Sequence, residues 1–214
     1  MEPVNLSAII IAYNYSTQFK QDSGLLKLNN KSILEHVIAV VNPLVDETLI
    51  VTHSQKHADA YAKLVSSQIT LVVEPAIARN PLVAALQGFK TALGGFSLLV
   101  PHDAPFISTK ILQLFFELCP GKSAVIPRAP DSQAEPLPAV YATRQALFAA
   151  EKALTIGKKD LGAFIEALQN VRYLSTLVIR QLDPDLKTFF RIKTPVDLKR
   201  AVALTKNQKH KRHG

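Results

Sequence analysis

The chain has 214 residues, of which 48% are hydrophobic and 20% charged, as in an ordinary globular protein. No apolar run reaches the roughly 18 residues of a membrane span, and the start carries Glu2 with no basic stretch, so we expect neither a membrane span nor a secretory signal. The one cysteine, Cys119, excludes an internal disulfide and a cysteine-based zinc cluster, and we expect it to be a buried thiol in a cytoplasmic protein.

The formal net charge of +8 is unevenly distributed. The last nine residues carry Lys206, Lys209, Lys211 and Arg212 without an acid, which leaves +4 for the preceding 205. We predict a single domain over 1–205 and a disordered basic tail over 206–214. The tail permits weak, salt-sensitive contact with polyanions, but nucleic acid is not an expected partner.

Strand and helix patterns alternate along the chain, which predicts stacked βαβ units. In chain order they predict a strand over 6–12, a polar loop over 13–24, an extended piece over 25–28, a helix from Ser32 to the stop at 42–43, a strand over 47–51, a helix over 57–65, a strand over 69–73, a helix over 81–93, a strand over 96–100, a helix over 109–118, strands over 123–127 and 137–141, helices over 143–154 and 160–168, short strands over 171–174 and 177–179, and a last helix capped by Thr194.

The first strand and the loop after it are the first candidate site. Residues 8–12 are apolar without interruption, as expected of a parallel strand covered on both faces. Because ligands of open α/β sheets bind where such strands end, the loop over 13–24 is a candidate ligand site.

Asp103 is the second candidate, since it follows the strand over 96–100 in a turn between Pro101 and Pro105. A carboxylate at a strand end can bind a divalent cation, although the same residue can equally serve as a turn former or helix cap. His102 beside it has neither a cysteine nor a second histidine nearby, which favours polar packing over metal binding.

Several short motifs in one order are similar to the molybdenum cofactor guanylyltransferases, within the wider nucleotidyltransferase group that handles sugar nucleotides. The similarity spans about residues 5–204 and rests on these stretches: 10–12 with the loop after it, 24–36, 81–82, 102–107 (His-Asp-Ala-Pro-Phe-Ile), 135–141 (Glu-Pro-Leu-Pro-Ala-Val-Tyr) and 189–198 (Phe-Phe-Arg-Ile-Lys-Thr-Pro-Val-Asp-Leu). The resemblance implies a three-layer α/β/α Rossmann-like fold with a mostly parallel, mixed central sheet.

Members of that family transfer GMP from GTP to the phosphate of molybdopterin with Mg²⁺. The resemblance therefore implies Asp103 as the metal ligand. It also implies nucleotide contacts at the following positions: Ala12, Tyr13, Asn14, Ser23, Ser54, Glu74 and Asp103.

The sequence departs from the family pattern around the phosphates. Tyr13 and Asn14 stand where the family has two glycines, which let backbone N–H groups approach phosphate. Ser23 replaces a lysine, and the loop has lost its arginine. Arg191 and Lys193 stand where the family has two neutral amides, and these cations could either supply the charge that the loop has lost or repel magnesium and replace it. Lys20 could also supply the lost charge from a shifted position, with Lys27 as a more remote candidate.

Three functions remain open from the sequence. The first is a Mg²⁺-dependent nucleotidyltransferase whose catalytic residues are Asp103 with Lys20, Arg191 or Lys193. Its substrates would be GTP or another NTP, and molybdopterin. The second is a catalytically impaired protein of the same fold that binds a nucleotide or molybdopterin or has a regulatory role. The third is a nucleotidyltransferase for another small phosphorylated acceptor. The base preference and oligomeric state do not follow from the sequence.

Overall fold

The protein is a layered α/β structure, seen in a computed structural model that describes residues 5–12, 15–16, 19, 21–75, 80–130 and 134–211. The side chains of residues 15–16 and 207–211 lie outside this description. The strands are β1 (Leu6–Ala12), β2 (Tyr15–Ser16), β3 (Gln21–Asp22), β4 (Lys27–Leu28), β5 (Lys31–Ser32), β6 (Glu47–Thr52), β7 (Thr70–Val73), β8 (Phe96–Pro101), β9 (Ala124–Arg128), β10 (Ala139–Ala142) and β11 (Val171–Ser175). The α-helices are α1 (Ile33–Val41), α2 (Gln55–Ala62), α3 (Pro81–Thr91), α4 (Thr109–Leu118), α5 (Thr143–Thr155), α6 (Leu161–Glu166), α7 (Thr176–Ile179) and α8 (Pro195–Lys211), with 3₁₀ turns at Ser23–Leu25, Asn42–Leu44 and Lys187–Phe189.

Seven of these strands form one sheet in the order β11-β9-β10-β8-β1-β6-β7. Within this described sheet, β10 runs antiparallel to both β8 and β9, while the pairs β1–β6, β1–β8, β6–β7 and β9–β11 are parallel. The predicted mostly parallel, mixed sheet of an α/β fold is therefore confirmed.

The central strand β1 divides the core into two layers, because successive side chains of a strand point to opposite faces. Ile9 and Ile11 pack into a cluster that includes residues of α3, α5 and α6, whereas Ala8 and Ile10 pack into a second cluster with residues of α1 and α4. All four side chains are buried. The apolar run that the sequence shows is thus the run of a strand covered on both sides.

Local signals explain several element ends. The Ser32 hydroxyl accepts from the Glu35 N–H at 3.2 Å and the Ser32 N–H donates to the Glu35 carboxylate at 2.6 Å, which forms a capping box at the predicted start of α1. Asn29 and Asn30 both have positive φ between β4 and β5, as a tight hairpin turn requires. Thr194 and Asp197 exchange equivalent bonds at the start of α8.

The segment 177–179 was predicted to be a strand, and this is wrong. It belongs to the short helix α7, because the Ser175 hydroxyl accepts from the N–H of Leu177 at 3.2 Å and starts a helical turn there. β-Branched residues favour strands only when neighbouring strands are available, and β11 already forms this edge of the described sheet.

Helix α8 extends beyond residue 205 to Lys211, through a stretch that contains the good helix formers Lys and Gln. Residues 212–214 lie outside the described residues. The division into a domain over 1–205 and a disordered tail over 206–214 stays a prediction.

Within the described part of the chain, no helix is both long enough and apolar enough to cross a membrane.

Candidate active site

A cleft of about 500 Å³ opens near the carboxyl end of β1. One wall comes from the start of α3 and the loop before β10, and the other comes from the segment that leads into α8. The lining residues are Ile11, Pro81, Glu135, Pro136, Leu137, Leu161, Phe189, Arg191, Lys193 and Asp197. Its position matches the general rule that open α/β sheets bind ligands beyond the carboxyl ends of their strands.

Asp103 lies just beyond the end of β8, and its carboxylate is paired with Arg191. The Arg191 Nε donates to Oδ1 at 2.6 Å and Nη2 donates to Oδ2 at 3.0 Å, so both oxygens are engaged by one planar guanidinium. Asp103 is 0% exposed, and the N–H of Ile192 also donates to its backbone carbonyl at 2.9 Å. The sequence-predicted residues Asp103 and Arg191 are therefore in direct contact, 88 positions apart in the chain.

This arrangement does not fit a divalent cation at Asp103. A divalent cation there would lie against the permanently charged guanidinium of Arg191, which already takes one lone pair of each carboxylate oxygen and compensates the carboxylate's charge. Among the described residues, no group of three or more histidine, cysteine or acidic side chains is placed to hold a metal ion. No metal is therefore assigned to Asp103 while this ion pair stands.

The end of the first loop is anchored on His102. The Ser23 hydroxyl lies 3.0 Å from His102 Nε2, and His102 Nδ1 lies 3.0 Å from the carbonyl of Ile11 on β1. Ser23 is buried, so its hydroxyl faces the histidine and not the cleft. A Cβ built on Gly24 would lie 2.8 Å from the His102 ring, which explains why this position needs a glycine.

A buried polar cluster continues from His102 through Asp22. The Asp22 carboxylate accepts from the Gly24 N–H at 2.8 Å and from the Tyr61 hydroxyl, and it lies 3.5 Å from His102 Nε2. On the far side, His57 Nε2 lies 3.8 Å from Asp22.

The charges in this cluster depend on burial and on partners together. Burial alone raises the pKa of Asp22. The hydrogen bond to His102, the charge of His102, and the hydrogen bonds from Tyr61 and Gly24 outweigh this effect, so the pKa of Asp22 lies below its ordinary value. Burial alone lowers the pKa of His102, and the bond to Asp22 with the charges of Asp103 and Asp22 raises it above the ordinary value. The cluster thus favours a charged Asp22–His102 pair that fixes the loop end to the sheet.

The remaining predicted nucleotide contacts are spread along the same edge of the sheet. Ala12 is the buried last residue of β1, and Glu74 is a buried residue just after β7 whose N–H donates to the Thr52 carbonyl at 2.9 Å. Ser54 caps α2, with its hydroxyl 2.7 Å from Nδ1 of His57. These roles as nucleotide contacts stay predictions.

Lys193 lines the cleft together with Arg191, and its N–H donates to Asp197 at 3.1 Å. The other predicted residues of the first loop, Tyr13, Asn14 and Lys20, lie outside the described residues. The structure therefore brings the predicted cations Arg191 and Lys193 together at one cleft.

Sequence reasoning missed Asp22 and Tyr61. Asp22 stands before Ser23-Gly24 and has the appearance of an ordinary turn residue, and Tyr61 has the appearance of an apolar helix position. No local spacing connects them, since they are 39 positions apart. The feature that marks Asp22 is its burial within a polar loop, and burial is not visible in a single sequence.

Comparison with known proteins gives a consistent result. A family model described as the MobA-like NTP transferase domain matches residues 8–171. A probable molybdenum cofactor guanylyltransferase of Methanosarcina mazei is 30% identical over 207 residues, which cover 94% of this chain and 92% of that protein. A molybdenum cofactor guanylyltransferase of Vibrio parahaemolyticus is 27% identical over 148 residues, which cover 67% and 72%.

Solved structures agree on the fold. The crystal structure of molybdopterin-guanine dinucleotide biosynthesis protein A from Archaeoglobus fulgidus superposes with a TM-score of 0.79 at 23% identity, covering 94% of this chain and 99% of that one. The 2-C-methyl-D-erythritol 4-phosphate cytidylyltransferase from Thermus thermophilus superposes with a TM-score of 0.67 at 16% identity, covering 92% and 98%.

The resemblance that the sequence motifs predicted is thus confirmed, and the protein is molybdenum cofactor guanylyltransferase-like in sequence and in fold. Nucleotidyltransferases of this family generally use a divalent metal. The match over residues 8–171, with relatives that align over most of the chain, carries the assignment. The chain belongs to the MobA-like NTP transferase family.

Proposed function

We propose that the protein binds a nucleoside triphosphate and a small phosphorylated acceptor in the cleft and joins them. The names of its relatives favour GTP as the nucleotide and molybdopterin as the acceptor. In this reaction an acceptor phosphate oxygen attacks the α-phosphorus of the nucleotide, the bond from that phosphorus to the bridging oxygen breaks, and pyrophosphate leaves.

The observation that carries this proposal is a cleft at the strand ends that Lys193 and Arg191 both line, with Arg191 also paired to Asp103 and with the acids Glu135 and Asp197 in the same lining. Arg191 and Lys193 both line it, beside the strand ends where this fold class binds ligands. Phosphoryl and nucleotidyl transfer depend mainly on positioning and on compensating negative charge, which arginine and lysine provide. Arginine is also suited to planar, bidentate contact with phosphate oxygens.

Two finer predictions accompany this proposal. Mg²⁺ is the cation that the sequence resemblance predicts, but the residues around Asp103 do not fit it, so no step of the reaction is assigned to a metal. A cytoplasmic location is the second, and it rests on the single cysteine of the chain.

A second candidate function is binding without transfer, for example in holding or delivering a nucleotide or a phosphorylated pterin. The ion pair between Asp103 and Arg191 favours it, because the carboxylate that the family resemblance assigns to a metal is bound to a cation of the protein itself.

The first prediction separates these two functions. Purified protein is titrated calorimetrically with GTP, CTP and ATP, and pyrophosphate release is then measured after molybdopterin is added. We expect saturable binding of at least one nucleotide and pyrophosphate release that requires both substrates. Replacing Lys193 by Asn should lower that release on the order of 10²-fold, the usual effect of removing one donor to transition-state charge.

The matched control is Lys110→Asn, which removes an exposed lysine of α4 that does not line the cleft. It should leave both binding and release unchanged. Nucleotide binding without pyrophosphate release would select the second candidate. Failure of all three nucleotides to bind would contradict the transferase, and would leave of the second candidate only the binding of a phosphorylated pterin.

A further inference from the structure

The Asp103–Arg191 pair has the geometry of a bidentate ion pair. Two parallel N–H···O bonds of 2.6 and 3.0 Å join a planar guanidinium to both carboxylate oxygens. The carboxylate is 0% exposed, and the Arg191 side chain is 25% exposed. A carboxylate buried to this degree requires a cation close by, and the protein supplies one.

Two further hydrogen bonds, apart from the ion pair itself, fix the segment that carries Arg191 beside Asp103. The N–H of Ile192 donates to the Asp103 carbonyl at 2.9 Å, and the N–H of Ser108 donates to the Thr188 hydroxyl at 3.2 Å. The segment that carries Arg191 is therefore fixed to the end of β8 and to the start of α4. The guanidinium cannot leave Asp103 by a simple movement of this segment, because these bonds would have to break.

Of the two partners, Arg191 is the one that lines the cleft. A guanidinium has five N–H donors, and two of them are used on Asp103. The remaining donors are available to anionic oxygens of a ligand. A Mg²⁺ or Mn²⁺ ion at Asp103 would have to displace a cation that is always charged or lie beside it, because each oxygen of the buried carboxylate already accepts one of its N–H groups.

We propose that Arg191 takes the place of a divalent cation at Asp103, so that this end of the cleft binds a phosphate group of its ligand through a guanidinium and without a metal ion. The identity of the ligand rests on the proposed function, whereas the exclusion of the metal does not. Replacement of Arg191 by a small residue should then create a divalent cation site at Asp103, because it leaves a buried carboxylate without a partner beside an open cleft.

The test is a Mn²⁺ titration followed by electron paramagnetic resonance, which measures free Mn²⁺ directly and does not depend on activity. The proteins are wild type, Asp103→Asn, Arg191→Ser and the double variant Asp103→Asn/Arg191→Ser. We expect saturable binding of Mn²⁺ by Arg191→Ser, tighter by about tenfold or more than by the other three proteins. Lys193→Ser is the matched control, since it removes a cation from the same cleft and retains the ion pair. Its affinity for Mn²⁺ should equal that of wild type.

Thermal unfolding of the same proteins shows whether each variant is folded and gives a second measure of Mn²⁺ binding. Mn²⁺ should raise the Tm of Arg191→Ser and leave that of wild type and of the double variant unchanged, since ligands stabilise only the state that they bind. If Arg191→Ser cannot be purified, the wild-type arm still decides. Saturable Mn²⁺ binding by wild type that is lost in Asp103→Asn would overturn the proposal, and so would a folded Arg191→Ser that binds no Mn²⁺.

A last arm titrates wild type with GTP in the presence of EDTA and in the presence of Mg²⁺. We expect the two Kd values to agree within about threefold. A requirement for Mg²⁺ would overturn the proposal. Absence of GTP binding under both conditions would count against the proposed function, and the Mn²⁺ titration would still decide the role of Arg191.

Discussion

The Asp22 carboxylate is nearly fully buried, and four neighbouring groups surround it. Gly24 and Tyr61 donate hydrogen bonds to it, and the rings of His102 and His57 lie 3.5 and 3.8 Å away. Because these contacts connect the end of the first loop to His102 and to α2, Asp22 helps to fix the position of that loop end. Its contribution to stability is therefore also a contribution to the shape of the candidate site.

Asp22→Asn should lower the free energy of unfolding by about 2 kcal/mol near pH 6, since hydrogen bonds to a charged acceptor contribute roughly 1.5–3 kcal/mol each. An unfolded chain titrates Asp22 near its ordinary value of 3.8, and the folded pKa is lower. The carboxylate thus stabilises the fold fully above its unfolded pKa, and this contribution is lost as the pH falls through the folded pKa. Urea unfolding of both proteins from about pH 6 to about pH 3 measures the difference, which should shrink below about pH 4.

The control for this prediction is Asp185→Asn. The Asp185 side chain is 71% exposed and pairs with Lys187 at 2.8 Å, and exposed pairs of this kind stabilise proteins little. A difference that stays constant over the whole pH range for Asp22→Asn would contradict the assigned cause.

At the scale of elements, α3 packs directly on β1 at Gly88. A Cβ built on Gly88 would lie 2.3 Å from Cγ2 of Ile9, which is a buried residue of the central strand. The helix therefore approaches the sheet as closely as a residue without a side chain permits. The start of α3, which lines the cleft at Pro81, depends on this contact for its position.

Gly88→Ala should destabilise the protein by about 1–3 kcal/mol, the usual effect of adding a methyl group to a packed core. The sign of this change in the free energy of unfolding is informative, because a Gly→Ala change in an open helix position stabilises a protein by about 1 kcal/mol. Chemical denaturation measures the change. Gln87→Ala is the matched control, one residue earlier on the same helix and partly exposed, and it should be neutral or stabilising. A stabilising Gly88→Ala would show that the helix can move away from β1 at no cost.

Much of the element pattern could be predicted from the sequence where the signal is local. Ser32 with Glu35 fixes the start of α1, and Asn29-Asn30 fixes a hairpin turn, because each depends on residues within a few positions. The segment 177–179 was misassigned because the Ser175 cap outweighs the strand preference of its residues. The Asp103–Arg191 contact spans 88 positions, and the motif resemblance brought both residues to one site without showing that they touch.

On the scale of the whole molecule, the candidate site is built from several elements that are distant in the sequence. The cleft combines the start of α3, the loop before β10 and the segment before α8, so that a bound ligand contacts parts of the chain far apart in sequence. Such a ligand stabilises the complete fold, because the unfolded chain cannot bind it.

GTP at about one hundred times its Kd should add about 2.7 kcal/mol to the free energy of unfolding. For a chain of this size the expected rise in Tm is about 5–10 °C. Differential scanning fluorimetry with GTP, CTP and ATP at equal concentration measures it and also ranks the bases. Equal shifts for all three would indicate a site that recognises phosphate and ribose alone, and no shift with any of them would contradict nucleotide binding.

The separation of 88 residues between Asp103 and Arg191 also has a consequence during synthesis. At the usual elongation rates of about 5–20 residues per second, the arginine follows the aspartate by roughly 4–18 s. In that interval β1, β6 and β8 can pair, while the charge of the Asp103 carboxylate at the end of β8 is not yet compensated by Arg191. A nascent chain that ends before Arg191 would contain every strand of the sheet and an uncompensated buried charge, which is strongly destabilising. The compensation of the Asp103 charge therefore becomes possible only after all seven strands of the described sheet have been synthesised.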